Sequence, residues 1–182
     1  MQKTIKNLPL TVGKNFFTHV ANNNRGMFCY ALTYYLADYY NIDNIHVYTV
    51  NKGSSHHWKR NGTHEIRFKW EHIRSNYDLG FWEYKTVRAI WYQLFSRGNT
   101  KTGRFLEADG YMGLTCLVYH EFAHLLQTEK GHKKVNGRWD IHGPTFLVQL
   151  QKLLNEHNIE ELTNQIICDD QFAKWHEIGL LH

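Results

Sequence analysis

The chain has 182 residues, of which 42% are hydrophobic and 15% aromatic, and its formal net charge is +4. These values exclude a disordered chain and indicate a single globular domain over residues 1–182, with enough residues to bury a core. No apolar run approaches the 18 residues of a membrane-spanning helix, and residues 1–6 lack an apolar signal-peptide core, so we expect a cytoplasmic protein with no membrane partner.

The N-terminal part of the chain predicts a helix after a short lead-in. Residues 1–14 are polar and are interpreted as a loose lead-in. From residue 16 to residue 40, apolar residues recur at three- and four-residue steps, which is typical of a helix. The asparagines at 22–24 interrupt that pattern. The cysteines of the chain are far apart and are interpreted as reduced thiols: Cys29, Cys116 and Cys168.

A strand and a hairpin are predicted next. Residues 45–50 are rich in β-branched side chains and predict a strand. Asn61-Gly62 favours the type I′ turn that joins two antiparallel strands, here residues 56–60 and 63–70. We interpret the histidines of this hairpin as solvated side chains rather than as a second metal site: His56, His57 and His64.

The segments that flank the next helix have weaker patterns. Residues 71–80 are interpreted as a loop, and residues 96–102 as a polar loop that contains glycine. Residues 82–95 fit either a helix or a strand, because their apolar positions satisfy both spacings.

Three helices are predicted in the C-terminal half. The first covers about 112–129, and Gly131 is suited to end it. Pro144 suits the first position of the second helix. Residues 159–167 predict a shorter third helix, and a tail that contains Trp175 follows.

The first of these helices contains the sequence His120-Glu121-Phe122-Ala123-His124. Residues four apart lie on one helix face, so His120 and His124 can present two imidazole nitrogens to a single metal ion. Glu121 is next to them and can reach a water that such an ion would hold. This arrangement is typical of zinc hydrolases in which the glutamate is the general base.

The apolar context of the motif predicts that the helix is buried. Apolar residues occupy more than one side of it: Leu114, Leu117, Val118, Ala123, Leu125 and Leu126. Buried histidine and glutamate side chains need partners, because burying an unpaired polar group is costly. A metal ion supplies that partner; the alternative is that both histidines are hydrogen-bonded core residues.

A catalytic zinc keeps three protein ligands and one water, so a third ligand must come from elsewhere in the chain. His142 is our choice, since it lies 18 positions after His124 and just before a predicted helix start. His132 is a close rival, because its loop can also fold back. Glutamates farther along the chain are further alternatives: Glu156, Glu160 and Glu161.

The motif at 120–124, followed by His142-Gly143-Pro144-Thr145-Phe146, resembles the SprT-like zinc metallopeptidases, whose third zinc ligand lies in a His-Gly-Pro-x-Phe segment. The resemblance implies one zinc ion per chain, with His120, His124 and His142 as ligands and Glu121 as the catalytic residue. It also implies a zincin-like α+β fold, in which an N-terminal helix and a small antiparallel sheet pack on the buried motif helix and helices follow it.

The specific match covers about 105–155. The sequence departs from the family in two ways. It shows no cysteine-rich zinc ribbon, which some members carry. This departure puts in doubt any DNA-associated role inferred from members that have extra modules. Residues 71–110 are also longer than the usual link to the motif helix, and this extra length can reshape the active-site cleft.

These residues predict a zinc-dependent metallopeptidase, an endopeptidase acting on polypeptides, with a metal-activated water and Glu121 as general base. An extended substrate is expected to pair with a sheet edge, and we choose the strand at 63–70 for that edge. Asp140 is a candidate to orient a ligand imidazole, or else a cap or a solvated acid. Candidates to stabilise the oxyanion flank the metal segments: Tyr111, His132 and Arg138.

Two alternatives follow from the same sequence. A non-catalytic binding module would keep the metal as a structural staple, although such a site needs no general base and is usually closed by four ligands, often cysteine. A nucleic-acid-associated protein would contact phosphates through the basic loop after the motif, which we otherwise interpret as solvated. The residues of that loop are Lys130, Lys133, Lys134 and Arg138.

Overall fold

The computed structural model describes residues 24–78, 110–131, 134–135, 138–139, 142 and 144–169, which form a mixed α+β fold. The helices are α1 (Asn24–Tyr39), α2 (Trp70–Asp78), α3 (Tyr111–Glu129), α4 (Pro144–Glu156) and α5 (Ile159–Ile167). The strands are β1 (Ile45–Val50), β2 (His56–Arg60), β3 (Thr63–Lys69), β4 (Lys134–Val135) and β5 (Arg138–Trp139). The predictions made for residues 1–23, 82–95, 96–102 and the tail after 169 lie outside the described residues.

Three of the strands form one small sheet in the order β1-β3-β2, so β3 is the central strand. Strands β2 and β3 are antiparallel, and Arg60 lies opposite Thr63 next to the turn. The turn residues Asn61 and Gly62 both have positive φ, 49° and 81°, as a type I′ turn requires. The predicted hairpin is therefore confirmed. Strands β4 and β5 form a separate antiparallel pair.

Two predictions about the sheet are wrong. Strand β1 is parallel to β3, with Ile45 opposite His64, whereas we expected an antiparallel sheet. The chain crosses from β1 to the far side of the sheet before it enters the hairpin, and an alternating pattern does not specify which strand becomes a neighbour. Because β3 has a partner on each side, the segment 63–70 is not a sheet edge. Among the described strands, the outer ones of this sheet are β1 and β2.

Residues 71–80 were predicted as a loop, but helix α2 occupies most of that segment. Its buried residues are His72, Ile73 and Asn76, of which only one is apolar. Asn76 Nδ2 donates to the carbonyl of His72 at 2.7 Å, and His72 Nδ1 lies 2.9 Å from Ser55 Oγ. Asn76 Oδ1 has no hydrogen-bond partner among the described residues. Helix α2 therefore has a buried face, but two of its three buried residues are polar, so the hydrophobic pattern of the sequence does not predict it.

Helix α3 lies at the centre of the described core. Every residue from Gly113 to Gln127 is buried, as the apolar positions around the motif predict. The helix packs against α1, α2, α4 and α5 and against strands β2 and β3. Burying one large apolar side chain contributes about 1.5–3 kcal/mol, so these contacts fix the position of the motif strongly.

The ends of the C-terminal helices agree with the sequence patterns. Helix α3 ends at Glu129, and Gly131 follows in the left-handed region with φ 80°, where its N–H donates to the Thr128 carbonyl at 3.1 Å. Helix α4 begins at Pro144, and Ile159–Ile167 forms α5, as predicted. The three cysteines are free, as expected.

Within the described residues, no helix combines the length and the apolar character needed to cross a bilayer.

Candidate metal centre

Three histidines converge at one end of the core. His120 and His124 are one turn apart on α3 and are each 8% exposed, and His142 lies two residues before α4. Their ligand nitrogens all lie within 4.8 Å of one another, and His120 Nε2 is 3.4 Å from His142 Nε2. Two nitrogens bound to one tetrahedral ion at about 2.0–2.1 Å would be about 3.3 Å apart. The three imidazoles could therefore hold one metal ion, and no other such group occurs in the part of the chain that the structure describes.

Phe146 packs against all three imidazole rings. It is fully buried in the first turn of α4, and its ring centroid lies 5.1 Å from that of His120, 4.4 Å from that of His124 and 5.1 Å from that of His142. Rings in contact on several sides lose rotamer freedom, so the histidines are held in place by packing. The segment 142–146 thus supplies one candidate ligand and the side chain that supports all three.

The electrostatics favour a neutral imidazole at His120. Burial lowers the pKa of His120 well below its usual range, and the neighbouring charges that His124 and His142 would carry lower it further. A histidine binds a metal ion in its neutral form. The site therefore holds His120 in the protonation state that a metal ligand needs.

Glu121 is buried beside this group, with 3% of its side chain exposed. Its Oε2 atom has no hydrogen-bond partner among the described residues. Burial raises the pKa of the Glu121 carboxyl to about 8, and the positive charge of Arg67 on β3 opposes that rise. A buried carboxylate without partners is costly, whereas a cation at the three imidazoles would favour its ionised form. The unsatisfied oxygen therefore fits a bound cation.

Gln127 lies on the same face of α3 as His120 and His124, and it is 1% exposed. Its Oε1 atom lies 3.3 Å from His124 Nδ1, and its Nε2 donates to Thr145 Oγ1 at 3.0 Å. Our sequence reasoning gave Gln127 no role. The signal was a polar residue seven positions after His120, on the side of a largely apolar helix that carries both histidines.

The hairpin lies against the opposite flank of α3. Glu129 Oε1 accepts a hydrogen bond from Lys59 on β2 and lies 2.9 Å from His64 Nε2 on β3. His57 Nε2 lies 2.9 Å from His64 Nδ1, which extends the network to the outer strand. His64 is only 4% exposed, so the interpretation of the hairpin histidines as solvated is wrong for this residue. Its ring is covered on β3, and its partner is the exposed Glu129 at the end of α3.

Several other candidates do not join the histidine group. Glu156 accepts a hydrogen bond from Tyr40 at 2.6 Å, and Glu160 and Glu161 are exposed at the start of α5. Tyr111 packs on Phe28 at the first residue of α3, about 13 Å along the helix from His120. His132 and Asp140, and the side chain of Arg138, lie outside the described residues.

Comparison with known proteins adds no family to this geometry. No protein-family model matches the chain, and neither does a curated protein or a solved structure. The resemblance to the SprT-like peptidases therefore rests on the two motifs, residues 120–124 and 142–146.

Proposed function

We propose that this chain is a zinc-dependent metallopeptidase of the SprT-like type, with a zincin-like core, that hydrolyses peptide bonds in polypeptides. The observation that carries the proposal is the convergence of His120, His124 and His142 beside a buried Glu121. Three nitrogens leave a fourth position of a tetrahedral ion open, which is what a catalytic zinc site requires.

Zinc is proposed because of the donor set. Three imidazole nitrogens within 4.8 Å of one another are a typical donor set for zinc, which is a borderline-soft ion. Manganese and cobalt can occupy the same nitrogens, so the metal content of purified protein must be measured. We expect about one zinc per chain.

The chemistry divides between the ion and the protein. A bound ion would polarise the scissile carbonyl and lower the pKa of a water towards about 7. The Glu121 carboxylate accepts a proton from the attacking water and then donates it to the leaving amine. Burial raises the pKa of Glu121 to about 8 and so favours the protonated acid, which can donate to the leaving amine. The charge of Arg67 opposes this rise, and a bound cation would further favour the ionised carboxylate that a base must be.

We place the substrate along β2 instead of along 63–70. Among the described strands, β2 is an outer strand that pairs with β3 on one side and packs on α3, so we expect its other side to offer main-chain hydrogen bonds to an extended polypeptide. The charge of Arg67 on β3 acts on the Glu121 carboxyl, so Glu121 lies within electrostatic range of the sheet.

If the ion were only a structural staple, Glu121 would have no role as a general base, because a structural site needs none. The nucleic-acid alternative rests on the basic loop, of which Lys130 is exposed and the side chains of Lys133, Lys134 and Arg138 lie outside the described residues. Salt-dependent retention of DNA or RNA on a filter would support it, and it can coexist with peptidase activity.

The test is cleavage of a mixed unfolded-protein substrate, with and without a chelator, by the wild type, Glu121→Gln and the exposed control Glu160→Gln. We expect the chelator to abolish cleavage and Glu121→Gln to retain zinc while losing about 10²–10⁴-fold in rate, because it removes general acid–base catalysis. Wild-type rates in the control would exclude a general effect of losing a carboxylate. Unchanged cleavage by Glu121→Gln would overturn the assignment of the base, and zinc-loaded wild type without cleavage would favour the staple.

A further inference from the structure

The Gln127 side chain contacts a candidate metal ligand at one end and helix α4 at the other. Its carbonyl oxygen faces His124 Nδ1, and its amide nitrogen donates to Thr145, three residues after His142. At 1% exposure, water is excluded from most of the side chain. One buried amide therefore connects the helix that carries two of the histidines with the segment that carries the third.

The two ends of an amide have different chemistry, and this fixes the state of His124. An amide oxygen can only accept a hydrogen bond, whereas the NH₂ group only donates. Because Oε1 is turned to the ring, His124 Nδ1 must be the donor. A neutral imidazole carries one ring proton, so Nε2 then has the lone pair that a metal ion needs.

Thr145 holds the other end of that amide. Its hydroxyl oxygen accepts the hydrogen bond from Gln127 Nε2 at 3.0 Å, in the orientation that turns the NH₂ group away from His124. If the amide rotated by half a turn, the NH₂ group would face Nδ1 and stabilise the tautomer that carries its proton on Nε2. That tautomer cannot bind a metal ion through Nε2.

We propose that Gln127 is a positioning residue of the metal centre, which holds His124 in the Nδ1–H tautomer and joins α3 to the first turn of α4 through Thr145. The inference rests on the proposed metal site and adds a residue that the two motifs do not contain. Partners of this kind behind a ligand histidine typically change metal affinity by about 10–100-fold when they are removed.

The experiment compares four forms of the full chain: wild type, Gln127→Leu, Thr145→Val and the control Gln151→Leu. Gln151 lies on the exposed side of α4, where its amide bonds to Asn155, so its replacement changes the same type of side chain away from the centre. Zinc affinity is measured by competition with a chromophoric chelator. The tautomer of His124 is read in the zinc-free protein from the ¹⁵N chemical shifts of its ring.

We expect Gln127→Leu to weaken zinc binding by about 10–100-fold, Thr145→Val to weaken it by a smaller factor, and Gln151→Leu to match the wild type. The zinc-free wild type should show His124 with its proton on Nδ1, and Thr145→Val should show a mixture of tautomers. Thr145→Val is nearly isosteric, so it keeps the test decisive even where Gln127→Leu fails to fold.

Two results would overturn the inference: wild-type zinc affinity in both Gln127→Leu and Thr145→Val, or a His124 proton on Nε2 in the wild type. A wild type that binds no zinc would instead remove the proposed function. The positioning of His124 is then still decided by the tautomer measurement, so the two failures are distinguishable.

Discussion

Replacing His157 by phenylalanine is expected to make the protein less sensitive to acid. The His157 ring, 7% exposed between α4 and α5, meets the rings of Tyr39, Tyr40 and Tyr35 edge-on at centroid distances of 4.4, 6.0 and 6.2 Å. Its Nε2 atom is buried and has no hydrogen-bond partner among the described residues. Burial lowers the pKa of His157 below its usual value; the charge of Glu156 opposes this shift and that of Lys152 adds to it.

The direction of the change in stability with pH follows from which state, folded or unfolded, binds more protons. The unfolded chain protonates His157 near pH 6.5, whereas the folded protein does so only at lower pH, so the unfolded state binds more protons below 6.5. Stability is therefore unaffected above that pH and is lost as pH falls towards the pKa of the folded protein. One pH unit below the unfolded value, a ring that stays neutral in the folded state lowers the free energy of unfolding by about 1.4 kcal/mol.

Phenylalanine keeps an aromatic ring in contact with the tyrosines and removes the titrating group. Urea unfolding of metal-free protein, monitored at about pH 8 and about pH 5.5, measures the free energy of unfolding at both pH values. We expect the difference between His157→Phe and the wild type to shift in favour of the variant by up to about 1.4 kcal/mol on acidification. The exposed control His46→Phe should show no such shift. A difference that is the same at both pH values would refute the reasoning.

Two further predictions concern the metal centre. Free zinc at about one hundred times its dissociation constant should raise the free energy of unfolding of the wild type by about 2.7 kcal/mol, as measured by urea unfolding. His142→Ala should abolish that gain, whereas the control His46→Ala should keep it. A gain retained by His142→Ala would show that the third ligand is His132 or another residue. Phe146→Ala should lower the free energy of unfolding by about 3–5 kcal/mol. It should also weaken zinc binding more than the smaller change Phe146→Leu does, because the Phe146 ring contacts all three histidines. Equal zinc affinities of the two variants would argue against this support.

The parts of the site that were predictable depend on local spacing. The step of four residues between His120 and His124 places both on one side of any helix, and the apolar residues around them require that helix to be buried. Pro144 and Gly131 mark helix ends through their own backbone preferences. These effects act within a few residues, so the sequence pattern contains them.

The parts that were missed depend on contacts between distant segments. Strand β1 pairs with β3 and not with β2, and the residues of β1 do not specify which strand becomes its neighbour. His72 and His64 are polar yet buried, because Ser55 and Glu129 satisfy them in three dimensions. Gln127 belongs to the same class: its role depends on Thr145, 18 residues away in sequence.

The geometry of α3 also bears on whether a bound ion would be catalytic or structural. A structural zinc is normally closed by a fourth protein ligand, and the obvious donor here is Glu121, next to His120. Yet the converging ligand atoms come from the three histidines alone, and Glu121 is not one of the group. The charge of Arg67 on β3 acts on the Glu121 carboxyl, so this group lies within electrostatic range of the sheet. Under the proposed peptidase function, the carboxyl is then available to act on a water instead of closing the coordination of the ion.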